Sequence, residues 1–255
     1  MSAGSPQATA GASAGGPRTE VRAGLAWEKV FAWSGLVFAV LCLLGLEVLG
    51  PQPPSFSAAA AKTSEFYVEN RTRVLLLVTF CSISMAFLIA WSIQLGVMLW
   101  RRPELSRPAI VVAMMSLGST PILLSFDLAF FAMAAYRAGD VDPDVTQGFS
   151  DVAWIGSMLI WPPLTASMVI IGVLILQSDG PGFIPRWLGW YSLWCAAAEP
   201  FQGLIIFFKE GAFGPRGVTT WYLAVPTWGF WIIALSIVMI RIVGSPDPRT
   251  DPEPG

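Results

Sequence analysis

The sequence predicts an all-α polytopic membrane protein, a six-transmembrane-helix bundle in which prolines kink several of the helices. Hydrophobic residues form 55% of the 255-residue chain and charged residues only 13%, about half the charged share of an average soluble domain. The apolar residues also occur in six long runs, each near or above the roughly 20 residues that cross a bilayer as a helix. A water-soluble core has no use for runs of this length.

The six predicted spans follow one another along the chain with short connections. Their limits are residues 30–49, 74–100, 108–136, 152–177, 184–208 and 219–243. Residues 58–73 favour a further helix that leads into the second span. Several aspartates lie in residues 138–151, but the glycine and the closing glutamate of a calcium-binding loop are missing. We therefore predict an acidic, solvated loop there.

The two ends of the chain have a different composition from the spans. Residues 1–24 are rich in Ala, Gly, Ser and Pro, and residues 244–255 are rich in proline and alternating charges. Segments of this kind bury too little apolar surface to fold. We predict two disordered cytoplasmic tails that flank one transmembrane domain, residues 25–243.

Basic residues predict the orientation in the membrane. Arg101, Arg102 and Arg107 lie in the short loop between the second and third spans, and Lys29 precedes the first span. Lys and Arg in short loops favour the cytoplasmic side. Both termini are therefore expected in the cytoplasm.

Composition excludes several kinds of chemistry. The chain has no histidine, so histidine-ligated metals and catalytic Ser-His or Cys-His pairs are ruled out. Cys42, Cys81 and Cys195 lie singly in separate apolar runs, and we interpret them as small packing residues. No metal and no cofactor are expected, and a net charge of -2 offers no basic surface for nucleic acid.

Acidic side chains inside the spans are the strongest functional signal. Asp127 lies in the third span, and Thr120 and Ser116 precede it by spacings that place all three on one helix face. An acid at the centre of a membrane helix costs about 2.5 to 3.5 kcal/mol on insertion, so Asp127 is expected to face protein. Hydrogen bonding between helices is the alternative explanation for Thr120 and Ser116.

The fifth span carries a second polar stripe. Ser192, Cys195, Glu199 and Gln202 follow one another at steps of three, four and three residues. Because this span is rich in Gly, Ala and Trp, it cannot offset a lipid-facing carboxyl group, and Glu199 is also expected to face protein. Glu199 paired with a buried amide or hydroxyl would be structural and not functional.

Proline and tryptophan suggest where the interior opens. Prolines interrupt each of the last four spans, at Pro121, Pro162, Pro163, Pro200 and Pro226. Each removes an amide donor and frees backbone carbonyls near mid-membrane. We predict a cavity there whose walls include Asp127, Thr120, Glu199, Gln202 and the deep Trp161. Four further tryptophans near span ends are interpreted as interface anchors: Trp154, Trp187, Trp190 and Trp221.

Three segments carry a resemblance to known sequences. Residues 161–165 (WPPLT), 185–190 (PRWLGW) and 207–211 (FFKEG) resemble a group of six-span integral membrane proteins of bacteria, notably actinobacteria, with no established activity. The resemblance implies the six-span architecture and a bacterial plasma membrane. It implies no functional residues.

Three functions stay open from the sequence. The first is a protein that binds or transports a small apolar or amphipathic molecule, such as a membrane lipid, in the intramembrane cavity. The second is a membrane-embedded enzyme that acts on a lipid through Asp127 and Glu199 as acid and base. The third is a non-catalytic subunit, held to a second copy of itself or to a membrane partner by its polar stripes. No catalytic residue is assigned.

Overall fold

The computed structural model of the chain describes residues 17–178, 183–214 and 217–244, with side chains from 26 to 243 within these ranges. Everything regular in the described ranges is helical, and no β-strand occurs in them. The eight α-helices there are α1 (Pro17–Leu43), α2 (Ala60–Glu69), α3 (Arg71–Trp100), α4 (Arg107–Arg137), α5 (Pro143–Met158), α6 (Trp161–Gln177), α7 (Arg186–Ala198) and α8 (Ala224–Gly244). The all-α prediction is confirmed.

Shorter helical segments join these helices. A π-helical turn, Leu44–Leu49, extends α1, and a second one, Val218–Leu223, leads into α8. Two 3-10 segments, Glu199–Ile206 and Gly211–Phe213, follow α7. Turns of the π type are rare and occur mainly at functional sites, and both of these lie in the same half of the bundle.

Five helical segments of the described chain are long and apolar enough to cross a membrane. They are Ala26–Leu49, Arg71–Trp100, Arg107–Arg137, Pro143–Gln177 and Val218–Val243. Only 28% to 44% of the most apolar window in each is buried, so most of their apolar surface faces outward. Such a surface suits the hydrocarbon of a bilayer and not water.

The fifth predicted span is not a continuous α-helix. α7 ends at Ala198 after 13 residues, and the chain continues as a 3-10 helix for eight more. Pro200 explains the change, because it lacks an amide donor and its ring clashes with the carbonyl group of residue 196. The combined segment still runs antiparallel to α6, with Gly189 against Gly172 at one end and Gly203 against Trp161 at the other.

The predicted proline breaks take different forms in the structure. Pro162 and Pro163 lie in the first turn of α6, after a break at residues 159–160 that separates it from α5, whereas Pro226 follows the π turn Val218–Leu223 inside one continuous helical segment. Proline is tolerated in a first turn because the first-turn amides have no intrahelical acceptor. Among the described helices, Pro121 is inside an α-helix, α4, which continues past it.

The predicted acidic loop is helical over most of its length. α5 begins at Pro143, and the Asp142 side chain accepts a hydrogen bond from the backbone N–H of Asp144 at 2.9 Å. Aspartate at the N-cap followed by proline is a strong helix start, so the loop prediction was wrong for residues 143–151. The helix expected within 58–73 is present as α2 and the start of α3.

Most residues of the two predicted tails, 1–16 and 245–255, lie outside the part of the chain that the structure describes. α1 already begins at Pro17, so its helix reaches eight residues into the segment assigned to the N-terminal tail. Nothing in the described chain forms a separate soluble domain between these ends.

The core lies where α1, α3 and α8 meet. Trp91 of α3 is fully buried and packs edge-on against Trp231 of α8, with ring centroids 5.7 Å apart. A Cβ atom on Gly35 of α1 would lie only 2.1 Å from Ser236 Oγ and 2.4 Å from the Trp91 ring. The small residue therefore permits the close contact of three helices that membrane proteins commonly use.

Candidate functional site

A cavity of about 120 Å³ lies inside one half of the bundle. Its wall is formed by the end of α1 and the π turn after it, the end of α2, the first half of α3, the second half of α4, the end of α5, the start of α6, Gln202 of the 3-10 helix, the π turn Val218–Leu223 and the start of α8. Pro51 and Pro53 cover it from the connection between α1 and α2. The covering connection, residues 50–59, is called the roof below.

The roof is tied to the neighbouring connection. The hydroxyl of Ser57 donates a hydrogen bond to Glu210 Oε1, and that of Ser55 lies 3.4 Å from the same oxygen. Gln147 of α5 also donates to the carbonyl oxygen of Ala58 at 3.3 Å. These contacts hold the roof over the cavity.

Aromatic rings form one wall of the cavity. Phe131 of α4 packs edge-on against Trp154 of α5 with centroids 5.4 Å apart, and Trp154 packs against Trp221 at 5.5 Å. Both indoles are buried, 6% and 5% exposed, so the prediction of interface anchors was wrong for these two. Since α5 begins at Pro143, Trp154 lies inside a helix and not at a span end. Trp187 and Trp190 do face outward.

Asp127 is the acidic group of the cavity wall. Its side chain is 7% exposed, and its carboxylate packs against the backbone of Gly156, where a Cβ atom would lie 2.2 Å from Oδ1. The structure shows no hydrogen-bond donor to this carboxylate among the residues it describes. A charged group held in an apolar wall without a protein partner is costly, which makes it a candidate for contact with a ligand.

Gln202 and Glu199 form a buried pair beside the cavity. The amide of Gln202 donates to Glu199 Oε2 at 2.6 Å, three residues apart on the 3-10 helix. Gln202 lines the cavity and is 4% exposed, whereas Glu199 is fully buried and not part of the wall. The other carboxylate oxygen of Glu199 has no partner in the described chain. Glu199 therefore reaches the cavity only through Gln202.

The remaining predicted site residues lie elsewhere. Thr120 is fully buried in α4, outside the cavity wall, and its hydroxyl has no partner among the described residues. Trp161 is half-buried at the start of α6, where its indole nitrogen would lie 2.5 Å from a Cβ atom on Gly203. Of the five predicted residues, the structure brings Asp127 and Gln202 to the cavity.

Several wall residues were not predicted. Tyr67 of α2 is buried, and its hydroxyl lies 2.9 Å from Ser150 Oγ of α5. Cys42 and Cys81, interpreted as packing residues, also line the cavity together with Met85. Their side chains approach from helices far apart in sequence, so no spacing in the chain marks them. Tyr67 lies in the helix predicted within residues 58–73, but no sequence pattern singled it out.

The fold and the apolar surface define the class of protein. Five apolar helical segments of membrane-spanning length, packed around a buried carboxylate, are the features of a helical integral membrane protein. No known protein family, curated protein or solved structure matches the chain.

Proposed function

We propose that the protein binds a small, mostly apolar or amphipathic molecule in the cavity beneath the roof. One observation carries the proposal: Asp127 lines a mostly apolar cavity and has no hydrogen-bond partner among the described residues. Most binding pockets for small molecules are apolar with a few polar groups that fix the orientation of the ligand. Asp127 and Gln202 are suited to that role here.

The volume and the lining limit the kind of ligand. An apolar cavity of about 150 Å³ holds a benzene molecule, so 120 Å³ accommodates a ring or a branched chain end of similar size. When ionised, the Asp127 carboxylate accepts hydrogen bonds only. The matching ligand has an apolar body and one donor group, a hydroxyl or an amine. A membrane lipid with such a headgroup, or a free small molecule, has this chemistry.

We further propose six membrane crossings. α7 and the 3-10 helix Glu199–Ile206 together cover roughly 35 Å at rises of about 1.5 and 2.0 Å per residue, and they lie along the length of α6. That matches a hydrocarbon core of about 30 Å. An even number of crossings places both termini on one side, and the arginines of the loop 101–107 assign that side to the cytoplasm of a bacterial plasma membrane.

The paired-carboxylate enzyme receives less support from the geometry. Asp127 lines the cavity, but Glu199 does not, and one oxygen of Glu199 is already bonded to Gln202. An acid and a base must both reach the reacting atoms. Binding is therefore the function that the arrangement favours.

A cavity-filling variant tests the proposal. Leu128 of α4 lines the cavity and is 8% exposed, whereas Ile122 of the same helix is 66% exposed. Full-length protein is purified in a mild detergent, and native mass spectrometry identifies retained small molecules. We expect one in the wild type, none in Leu128→Trp, and the wild-type amount in the control Ile122→Trp.

Toluene serves as a probe of the same cavity in a second measurement. A ligand that binds only the folded state raises its stability, so toluene should raise the thermal midpoint of the wild type and of Ile122→Trp but not of Leu128→Trp. A wild-type protein that retains no molecule and is not stabilised by toluene would contradict the proposal, as would equal stabilisation of all three proteins.

A further inference from the structure

The roof is one chain thick where it crosses the cavity. Pro51 and Pro53 line the cavity and are half-buried, whereas Gln52 between them is exposed. Elsewhere in the wall, Tyr67 and Cys81 are only 1% and 2% exposed. The helices thus bury their part of the wall, and the roof contributes a single stretch of backbone to it.

The roof backbone has little hydrogen bonding of its own. Residues 50–59 all lie in the described chain, and the structure shows one backbone hydrogen bond within them, from the N–H of Ala58 to the oxygen of Ser55 at 2.9 Å. Segments with few such bonds open locally at a cost well below that of global unfolding. Pro51, Pro53 and Pro54 restrict the backbone torsions, so a displacement carries this stretch as a unit.

Side chains attach the roof to the rest of the fold. Phe56 packs against the buried cluster that contains Trp154 and Trp221, and the hydroxyl of Ser57 donates a hydrogen bond to Glu210 Oε1. Glu210 is exposed, so water competes for the same carboxylate oxygen. The bond from Ser57 is therefore a contact of the roof that water can replace directly.

The connection that carries Glu210 is itself bonded to the cavity wall. Two residues after Glu210, the carbonyl oxygen of Ala212 accepts a hydrogen bond from the hydroxyl of Thr219 at 2.5 Å. Thr219 belongs to the π turn Val218–Leu223, which also carries the wall residue Trp221. Glu210 therefore links the roof to an element that forms the cavity.

We propose that the roof is a gate of the cavity, held closed by the hydrogen bond from Ser57 to Glu210 and opened when that bond breaks. Opening moves Pro51 and Pro53 off the cavity while the helices keep their positions. The passage of a guest molecule through the gate rests on the function proposed above, whereas the movement of the roof does not. Because a lid sets the rates of entry and release and affinity depends only on the end states, loss of the bond should speed exchange and leave affinity unchanged.

Cys81 is a built-in reporter of access to the cavity. It lines the cavity, whereas Cys195 is fully buried and not part of the wall. In full-length protein that retains only one of these two thiols, the others being replaced by alanine, labelling by the cationic reagent 2-(trimethylammonium)ethyl methanethiosulfonate is followed in detergent by mass spectrometry. The fixed charge of the reagent keeps it on the aqueous route.

Loss of the bond should make the cavity more accessible. We expect Glu210→Ala to speed the labelling of Cys81 by at least about threefold, the order expected for one exposed hydrogen bond, and to leave Cys195 unchanged. Glu65→Ala is the matched control, because Glu65 of α2 is also exposed and the described residues show no hydrogen bond between it and the roof. Its labelling rate should equal that of the wild type.

A charge pair gives a second test that general loosening would not reproduce. Ser57→Glu places a carboxylate against Glu210, and like charges repel, so Cys81 should again be labelled faster. Ser57→Glu combined with Glu210→Lys replaces the repulsion by attraction and should restore about the wild-type rate. An unchanged rate in Glu210→Ala and Ser57→Glu, an equal increase in Glu65→Ala, or a double variant as fast as Ser57→Glu would each overturn the gate.

The toluene measurement separates the gate from the proposed function. Glu210→Ala should be stabilised by toluene as much as the wild type, and a smaller rise of its thermal midpoint counts against the gate. If toluene stabilises no variant while labelling follows the expected pattern, the proposed function fails and the gate stands. If toluene stabilises the wild type but labelling does not respond to Glu210, the gate fails and the function stands.

Discussion

The buried position of Asp127 lowers the free energy of unfolding. Its carboxylate is 7% exposed inside a mostly apolar wall and receives no hydrogen bond from the described residues. Proteins retain such groups mainly where they serve binding or catalysis. Stability and ligand binding should therefore respond in opposite directions when the group is removed.

Replacement of Asp127 by leucine tests this opposition. We expect Asp127→Leu to raise the free energy of unfolding by about 1 to 3 kcal/mol, because a buried polar group without a partner is lost. The retained small molecule should disappear at the same time. Detergent-based unfolding measures the first effect and native mass spectrometry the second. A variant that loses stability and keeps the molecule would show that Asp127 has a structural role.

Removal of Gln202 should affect stability in the opposite direction, because it leaves Glu199 without a hydrogen-bond partner. Gln202→Leu should lower the free energy of unfolding by about 1 to 3 kcal/mol, the cost of an unsatisfied buried group. Gln94 of α3 is the control, since it is 2% exposed and its amide nitrogen has no partner among the described residues. Gln94→Leu should be neutral or stabilising in the same unfolding assay, because it removes a buried amide nitrogen without a partner. Equal effects of both variants would argue against the Glu199–Gln202 bond.

At the scale of the elements, α6 and α7 depend on two glycines. The backbone oxygen of Gly189 lies 2.9 Å from the position of a Cβ atom on Gly172, and the backbone oxygen of Gly172 lies 3.0 Å from the corresponding position on Gly189. Backbone atoms cannot move aside as a side chain can. The two helices therefore meet as closely as they do only because both positions lack a side chain.

An alanine at this crossing should separate α6 from α7. Gly172→Ala is expected to destabilise the protein by about 1 to 3 kcal/mol through overpacking, which thermal unfolding in detergent would measure. Gly118 of α4 is the control, because nothing lies within 4 Å of its Cβ position. Gly118→Ala should be neutral or stabilising, since alanine is the better helix former. A neutral Gly172→Ala would mean that the helices are not in contact there.

The loop between α3 and α4 is joined to the end of α6 by a carboxylate. Ser178 donates a hydrogen bond to Glu104 Oε1 at 2.8 Å. Hydrogen bonds from the backbone N–H of Glu104 and from Ser178 lower the pKa of Glu104 below its usual 4.5, helped by Arg102 and Arg107. The ionised form is thus the one that this contact stabilises.

This contact predicts a loss of stability in acid. A pKa that is depressed in the folded state contributes stability above the unfolded value, and the contribution disappears as the pH falls through the folded value. The thermal midpoint of the wild type should therefore fall below about pH 4.5 more steeply than that of Glu104→Gln. Parallel curves for the two proteins between pH 6 and pH 3 would contradict the contact.

At the scale of the whole molecule, hydropathy was enough to predict the helical class and the approximate position of most spans. Run length and composition decide these features directly. Hydropathy did not predict the break in the span 184–208, where the chain changes at Pro200 from the α-helix α7 to a 3-10 helix. Hydropathy also missed the start of α5, where Asp142 caps the helix and Pro143 lies in its first turn.

The candidate site was less predictable than the fold. Helical spacing and insertion cost identified Asp127 and Gln202 correctly as inward-facing, and both line the cavity. The same reasoning could not exclude Glu199 from the wall, since a 3-10 helix has three residues per turn and changes the face that each residue occupies.

The roof has a consequence for the route that a guest molecule would take. The cavity lies in the half of the bundle that contains the start of α3 and the end of α4. If both termini lie in the cytoplasm, as proposed above, this half belongs to the outer leaflet, and the fully buried Trp91 lies further along α3 toward the inner side. Arrival and departure would then both occur from the extracytoplasmic face. Under the proposed function the protein would hold its guest on that side, and passage to the cell interior would require the indoles of Trp91 and Trp231 to separate.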